Sequence, residues 1–548
     1  MQNAPASLAG ERVDLNPPPP RRRPWLRRPA IVATVLGALG VAFRLVLIVA
    51  GYPRADSDEA TVGLGALHIA TGRDFPIFFY GQHYMGTIES YLAAPLLAVG
   101  GPSTLLLRLP LIALYVGFLV AMYRLVAATY NAWFAVLVVG VLALGSDRVL
   151  KDQLIAHGGT MEVKPAAAVL LLLAYALATG WRRRRAAGFF LWGLVAGLIL
   201  WEHLVVVPYV LVAAGVLVAC AGRELAGRMG AWLLAGLVVG AGPLIGYNLH
   251  PAPGDDSLSI FLRQNDGPAV PLLQRLGGGT LMGVPLSSGM CGPGVCQPWQ
   301  RAWAPVCLAL LVASAVLAVR ALRRSGGRPA EPAAHPERAR QLVRLALALG
   351  ALLSIVAYTR SPAAGLTPME SGRYLCCLPV SVPAILWPLW RLWEQGAGRV
   401  RVRVATGGAA LALVVVAMAV TTTAVVTSAV ADARADGRDQ RHLVEALRAA
   451  GVRHLYAGYW TCNRVSFDTG ESITCAVLDD TLRPGFDRYL PYRVAVAVDS
   501  RPAYVFVAGT VPDTRFRAYL RAQEGSDAPL RVVGRYRVYW PTTRVELP

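Results

Sequence analysis

Charge is scarce in this sequence. Asp, Glu, Lys and Arg make up 16% of its 548 residues, against about 25% in an ordinary soluble protein. The deficit excludes a chain of soluble domains, because apolar blocks of roughly twenty residues, long enough to cross a bilayer, take its place. Also missing is a glycine-rich phosphate fingerprint after any strand-like run, which removes a nucleotide site. An inverted internal repeat is absent too, and the acids sit at the ends of spans; only Arg44 lies clearly inside an early one. Both observations weigh against the main alternative, a polytopic transporter or lipid flippase. A non-catalytic scaffold would leave the first polar loop without a purpose.

The net charge is +20 and the pI near 10. The basic residues cluster between apolar blocks, as cytoplasmic loops do under the positive-inside rule, so nucleic acid is excluded as a partner. The opening tract P-P-P-P-R-R-R-P-W-L-R-R precedes an apolar run too long for a signal-peptide core and without a small-residue cleavage site. It reads as a disordered basic cytoplasmic tail over residues 1–28, followed by a retained first span. Further spans are expected near 103–127, 131–147, 165–180, 187–201, 204–222, 230–249, 302–322, 341–358, 374–392 and 404–430, about eleven in all. Residues 91–100 are too short to cross and read as an interfacial helix. The Arg-rich connectors at 181–185, 222–228, 320–344 and 391–403 then fall inside, and the C-terminus falls outside. The expected fold is a polytopic all-α membrane protein (29–430) with a small extracytoplasmic α/β domain (431–548).

In that last domain, D-Q-R-H-L-V-E-A-L-R-A-A-G-V predicts a helix that Gly451 stops. R-H-L-Y-A-G, S-I-T-C-A-V-L, A-Y-V-F-V-A-G and R-V-V-G-R-Y-R-V-Y-W predict strands. Two cysteine pairs are candidates for disulfides on the oxidising face: Cys291 with Cys296 in C-G-P-G-V-C, and Cys462 with Cys475. A metal site in the first of these loops would need more ligands than the loop offers.

The first polar loop, from Arg54 to Tyr91, concentrates carboxylates, aromatics and glycines. Asp56 with Glu59 three residues later resembles a capping box that opens a short helix ending at Gly72. That reading leaves Asp58 as a free carboxylate in the first helical turn. Glu89 in G-Q-H-Y-M-G-T-I-E-S-Y, Glu162 in H-G-G-T-M-E-V-K-P and the pair Glu202–His203 in W-E-H join it on the same face of the membrane. Each alone reads as a snorkelling side chain, but four such positions on one face form a candidate site. His157, Tyr80, Gln82 and Tyr84 come with these motifs as candidate lining. On the late outer loop, Arg360 and Arg373 suit a lipid phosphate, with an interfacial anchor as the plainer reading.

D-E-A in the first loop, the Y-G-Q-x-Y-M-G-x-x-E-x-Y-L stretch, G-P-S-x-x-x-L-R-L-P and the later G-R-Y-L-x-x-L-P together resemble the GT-C glycosyltransferases. The family-39-like groups, protein O-mannosyltransferases and aminoarabinose transferases, are the nearest in pattern. The resemblance implies an enzyme that moves a sugar from a polyprenyl-phosphate carrier to an acceptor hydroxyl on a glycan, lipid or protein, on the outer face of the plasma membrane. It implies Asp58 as the acid that deprotonates or orients the acceptor. It also implies Glu162, and less directly Glu89, as ligands of the acceptor or of a divalent metal. Relatives often carry E-K-P at the Glu89 position, and this chain has no Lys-Pro there. The phosphate's charge would then fall to Arg373, Arg360, Lys164 or the metal, and direct displacement would invert the anomeric carbon.

Overall fold

The computed structural model describes residues 27–180, 184–251, 254–325, 334–395, 401–522 and 530–547. The basic tail up to residue 26, and stretches of the Arg-rich connectors at 181–183, 326–333 and 396–400, lie outside the described residues.

Helices α1 (Arg27–Val49), α2 (Ser57–Ala70), α3 (Ile88–Gly100), α4 (Thr104–Thr129), α5 (Ala132–Ala143), α6 (Asp147–Leu154), α7 (Val163–Ala178) and α8 (Arg185–Glu202) build the first half. Among the described residues seven helices are long and apolar enough to span a membrane, and three bent pairs raise that to ten if each pair counts once. The remaining expected span, at 165–180, is α7. Its 16 residues reach only about 24 Å at 1.5 Å per residue, short of a hydrocarbon layer of about 30 Å. Large apolar side chains such as Val46, Val49, Val99, Leu234 and Leu413 stand exposed on these helices. Water would penalise that surface; lipid tails match it.

Arg44, the one charge in α1 beyond its first two residues, has a structural explanation. The chain bends by 89° between α5 and α6, which orphans the last carbonyls of α5. Arg44 donates to the carbonyls of Ala143 (2.9 Å), Leu142 (3.3 Å) and Leu144 (3.2 Å) and to Gln153 Oε1 (2.9 Å). It also lies 3.9 Å over the Tyr115 ring. A buried guanidinium so fully paired is a cap for a broken helix.

The helix at the end of the membrane part runs on from Ala405 to Ala449, through one π turn at Val425–Ala429, so a single rod enters the C-terminal domain. Gly451, at φ +68°, ends it, the left-handed position where glycine carries no steric cost. Beyond it β1 (His454–Gly458), β2 (Thr474–Leu478), β3 (Ala503–Val507), β4 (Leu530–Val533) and β5 (Tyr536–Tyr539) form one sheet in the order β2-β1-β3-β5-β4. The first three are parallel, and β5 and β4 add as an antiparallel hairpin. The run R-V-V-G-R-Y-R-V-Y-W, expected as one strand, is this hairpin, turned at Gly534 with φ +54°. Both cysteine pairs form disulfides, Cys291–Cys296 and Cys462–Cys475. Cys307, Cys376 and Cys377 are buried thiols.

Candidate active site

Asp56 caps α2: its carboxylate accepts from the Glu59 amide at 2.9 Å. The reciprocal half of the expected capping box does not form. Glu59 instead makes a two-pronged, fully buried ion pair with Arg108 of α4, at 2.7 and 2.6 Å. A buried guanidinium without a counter-charge would cost far more than an uncapped amide, so the ion pair takes the carboxylate. D-E-A and L-R-L-P, far apart in sequence, are thus two halves of one clamp that seats α2 on α4.

With Asp56 and Glu59 so committed, Asp58 turns towards the C-terminal domain. Its Oδ1 accepts from Arg488 Nη2 at 2.9 Å and from the hydroxyl of Tyr459. Arg488 also donates through Nε to the Tyr459 oxygen at 2.7 Å and through Nη1 to the Tyr80 carbonyl at 3.4 Å. Its guanidinium packs on the rings of Phe79 at 4.6 Å and Phe486 at 5.0 Å. Arg373, from the segment after the helix Ala334–Arg360, approaches Asp58 Oδ2 at 3.9 Å with 37% of its side chain exposed. Burial alone would push the Asp58 carboxyl up. Arg488, the Tyr459 hydroxyl and Arg373 outweigh it and hold the group below the ordinary carboxylate value. Burial and the charge of Asp58 push Asp56 up to about 6.

The loop's further residues bind the same domain. His68 Nε2 meets Glu471 at 2.9 Å, and Arg73 and the Tyr492 hydroxyl also pair with it. Burial opposes ionisation of Glu471, but these partners prevail and bring it down to about 2. Tyr80 donates to Asp74 at 2.7 Å. The C-terminal domain is therefore a wall of the site.

A second group of acids lies alongside. Glu89 Oε2 accepts from the Gly158 amide at 2.9 Å, and Glu202 Oε2 accepts from the Ile88 amide at 3.1 Å. Glu89, Glu162 and Glu202 are close enough for their charges to interact. Four oxygens of this trio, including both of Glu162, are buried and have no hydrogen-bond partner. The glycines of H-G-G-T explain the approach. Gly158 and Gly159 both adopt positive φ, and a Cβ on Gly159 would press on Glu202 and His203 at 3.0 Å. The loop from Ile155 also reaches the first group, since the Ala156 amide points at Glu59 Oε1 at 3.4 Å. Arg373 is near enough for its charge to act on His157 and His203.

Two expected phosphate ligands are not drawn in. Lys164 is buried, with its ammonium donated to the carbonyls of Asp152, at 2.8 Å, and Thr160. Arg360 is exposed at the end of the helix Ala334–Arg360. Gln82 is half-buried and Tyr84 packs edge-on against Phe261. Among the described residues no group of three or more His, Cys, Asp or Glu side chains is arranged to hold a metal ion.

ArnT from Cupriavidus metallidurans in the apo state aligns over 94% of this chain and 97% of its own, with a TM-score of 0.56 and 12% identity. The same protein bound to undecaprenyl phosphate aligns over 95% and 98%, at 0.54 and 11%. The chain has the fold of the GT-C membrane glycosyltransferases. An oligosaccharyltransferase from Archaeoglobus fulgidus is a looser likeness, at a TM-score of 0.48 and 11% identity over 87% of this chain and 68% of that one. No protein-family model matches the sequence, and neither does any curated protein sequence. The GT-C likeness is thus one of architecture, extending over the membrane helices and the C-terminal domain together. The residues of the site that sequence reasoning missed are Tyr459 and Arg488. Neither sits in a recognisable motif, and only the docking of the C-terminal domain brings them to Asp58.

Proposed function

We propose that this chain is an integral-membrane glycosyltransferase that moves a sugar from a polyprenyl-phosphate carrier to an acceptor hydroxyl on the extracytoplasmic face. One observation carries the reading: a carboxylate, Asp58, lies between a fixed guanidinium, Arg488, and a loosely held one, Arg373. Arg488 is nearly buried and bonded on three sides, so it orients Asp58. Arg373, at 3.9 Å and partly exposed, is free to turn to an incoming phosphate.

In the reaction the acceptor oxygen forms a bond to the anomeric carbon, the bond from that carbon to the phosphate oxygen breaks, and polyprenyl phosphate leaves. Displacement from the opposite face inverts the carbon. A carboxylate held below its usual pKa is a weak base. Asp58 therefore acts first by accepting a hydrogen bond that aims the acceptor hydroxyl. It takes the proton late, once the forming bond has made that hydroxyl acidic. Arg373 offsets the negative charge growing on the leaving phosphate.

Glu89, Glu162 and Glu202 are oxygen donors of the kind hard cations prefer, but among the described residues they are not arranged as a metal site, so no step is assigned to a metal. The N-terminus is placed inside and the C-terminal domain outside, on the distribution of Arg between the apolar blocks. The experiment is to incubate the purified chain with a panel of polyprenyl-phosphate sugars, in the presence of alcohol, glycan and peptide acceptors, and detect released polyprenyl phosphate. Turnover of at least one donor is expected, and none across the panel would reject the reading.

A further inference from the structure

The C-terminal domain holds a cleft of about 1020 Å³ that the transfer chemistry above does not use. It opens at the carboxyl ends of β1, β2 and β3, where the chain leaves β1 for β2 on one side and β3 lies on the other. Open α/β sheets bind ligands in that crevice, at the point where strand order reverses. The lining is unlike a packed interior. Trp460 and Phe486 expose 58% and 53% of their surface, beside Thr481, Thr510 and the carboxylate of Asp480. The neighbouring Asp479 accepts from the amide and hydroxyl of Thr481 at 2.7 Å each and from the Arg483 amide at 2.9 Å, which preforms the rim.

Aromatic faces next to hydroxyls and a carboxylate match one ligand chemistry well. A sugar ring presents an apolar C–H face for stacking and hydroxyl edges for hydrogen bonds, and pockets of this size accept ligands of several rings. Among the described residues no Arg, Lys or His lines the cleft, which disfavours a phosphate, a nucleotide or an anionic glycan. The cleft also adjoins the reacting group. Tyr459 lines it and donates its hydroxyl to Asp58, and Phe486 lines it and carries the Arg488 guanidinium. We infer that the cleft binds a neutral oligosaccharide, the remote part of an acceptor glycan whose hydroxyl is served by Asp58. This rests on the transferase reading and adds the acceptor class to it. Binding at a distance from the reacting hydroxyl would stabilise the transition state without contacting it.

The test uses the full chain in lipid nanodiscs and saturation-transfer NMR with manno-, gluco- and galacto-tetraose, with tri-galacturonic acid as the anionic control. At least one neutral tetraose is expected to receive saturation and the anion none. Trp460→Ala and Asp480→Ala, both at exposed positions, should weaken that binding at least tenfold, while Asp58→Asn should retain it. No neutral binding, equal binding in wild type and Trp460→Ala, or preference for the anion would overturn the inference. Carrier turnover is assayed separately with a panel of small alcohols as acceptors, which do not need the cleft. Turnover without tetraose binding removes the cleft proposal alone; tetraose binding with no carrier consumed removes the transferase reading and leaves a glycan-binding cleft.

Discussion

The carboxylate of Asp58 receives a hydrogen bond at 2.9 Å from Arg488, which lies 430 residues further along the chain. This contact joins the first polar loop to the C-terminal domain at the point where the chemistry is placed. Both partners are nearly buried, and removing one member of such a pair leaves an uncompensated charge that costs about 3–5 kcal/mol. Arg488→Ala is expected to lower both thermal stability and kcat. Arg488→Lys retains a charge but cannot serve Asp58, Tyr459 and the Tyr80 carbonyl together. It should recover most of the stability while kcat stays at least tenfold down, as read by a melting curve beside a transfer assay.

Glu59 makes the opposite prediction from its neighbour. Its carboxylate serves Arg108 and is not free to act on substrate. Glu59→Ala should destabilise the fold by about 3–5 kcal/mol. The double change Glu59→Met with Arg108→Met should restore stability and sugar transfer together. If the double variant is stable but inactive, Glu59 has a further role in the reaction.

Arg373 is expected to act on the carrier more than on the fold, because its side chain is partly exposed and only loosely paired. Arg373→Ala should raise KM for the polyprenyl-phosphate sugar and lower kcat, with a melting temperature within about 2 °C of wild type, as for a surface change near 0.5 kcal/mol. Unchanged kinetics would assign the phosphate to another cation.

The two titrating acids of the α2 cap have opposite signs. Asp58 is held below its ordinary value, so its contribution to stability is present above the unfolded carboxylate pKa, about 3.9, and is lost as pH falls through its lower folded value. Its ionised form therefore persists across pH 5–8, and kcat/KM should show no acid limb from it in that window. Asp56 is raised to about 6, so its contribution is full below the unfolded pKa and is lost as pH rises through about 6. Asp56→Asn keeps the cap and cannot ionise. Its stability relative to wild type should rise between pH 5 and 7, measured by melting at a series of pH values.

The disulfide Cys462–Cys475 ties the helix that begins at Tyr459 to β2. A loop of this length contributes about 3 kcal/mol in the chain-entropy picture. Replacing both cysteines with alanine should lower the melting temperature and also kcat, because Tyr459 sits on the tethered helix. Loss of stability with unchanged kcat at low temperature would separate the tether from the site.

The membrane architecture was legible because spans need long apolar runs, and charge between them reports orientation. The strands were legible from their β-branched and aromatic runs, although R-V-V-G-R-Y-R-V-Y-W hid a hairpin whose only marker is Gly534. Asp58 stood out as the acid left over once Asp56 was assigned to the cap. The partner of Glu59 was not legible, since a capping box and an ion pair use the same residue and only packing chooses between them. Nor were Tyr459, the first residue of the helix after β1, and Arg488, in the loop after β2, neither of which has a chemical spacing of its own. Lys164 shows the converse. Its place in M-E-V-K-P suggests a phosphate ligand, but burial commits its ammonium to backbone carbonyls.

The central claim is that Asp58 acts on the acceptor. The measurement is sugar transfer from a polyprenyl-phosphate donor by Asp58→Asn, in protein shown to insert and to be folded at the assay temperature. Asn fills the same space and can still accept from Arg488, but it removes the proton acceptor and the counter-charge of Arg488, so a lower melting temperature is expected beside the kinetic loss. The account predicts a fall in kcat of at least a hundredfold, with donor binding preserved. Transfer within a few fold of wild type would contradict it.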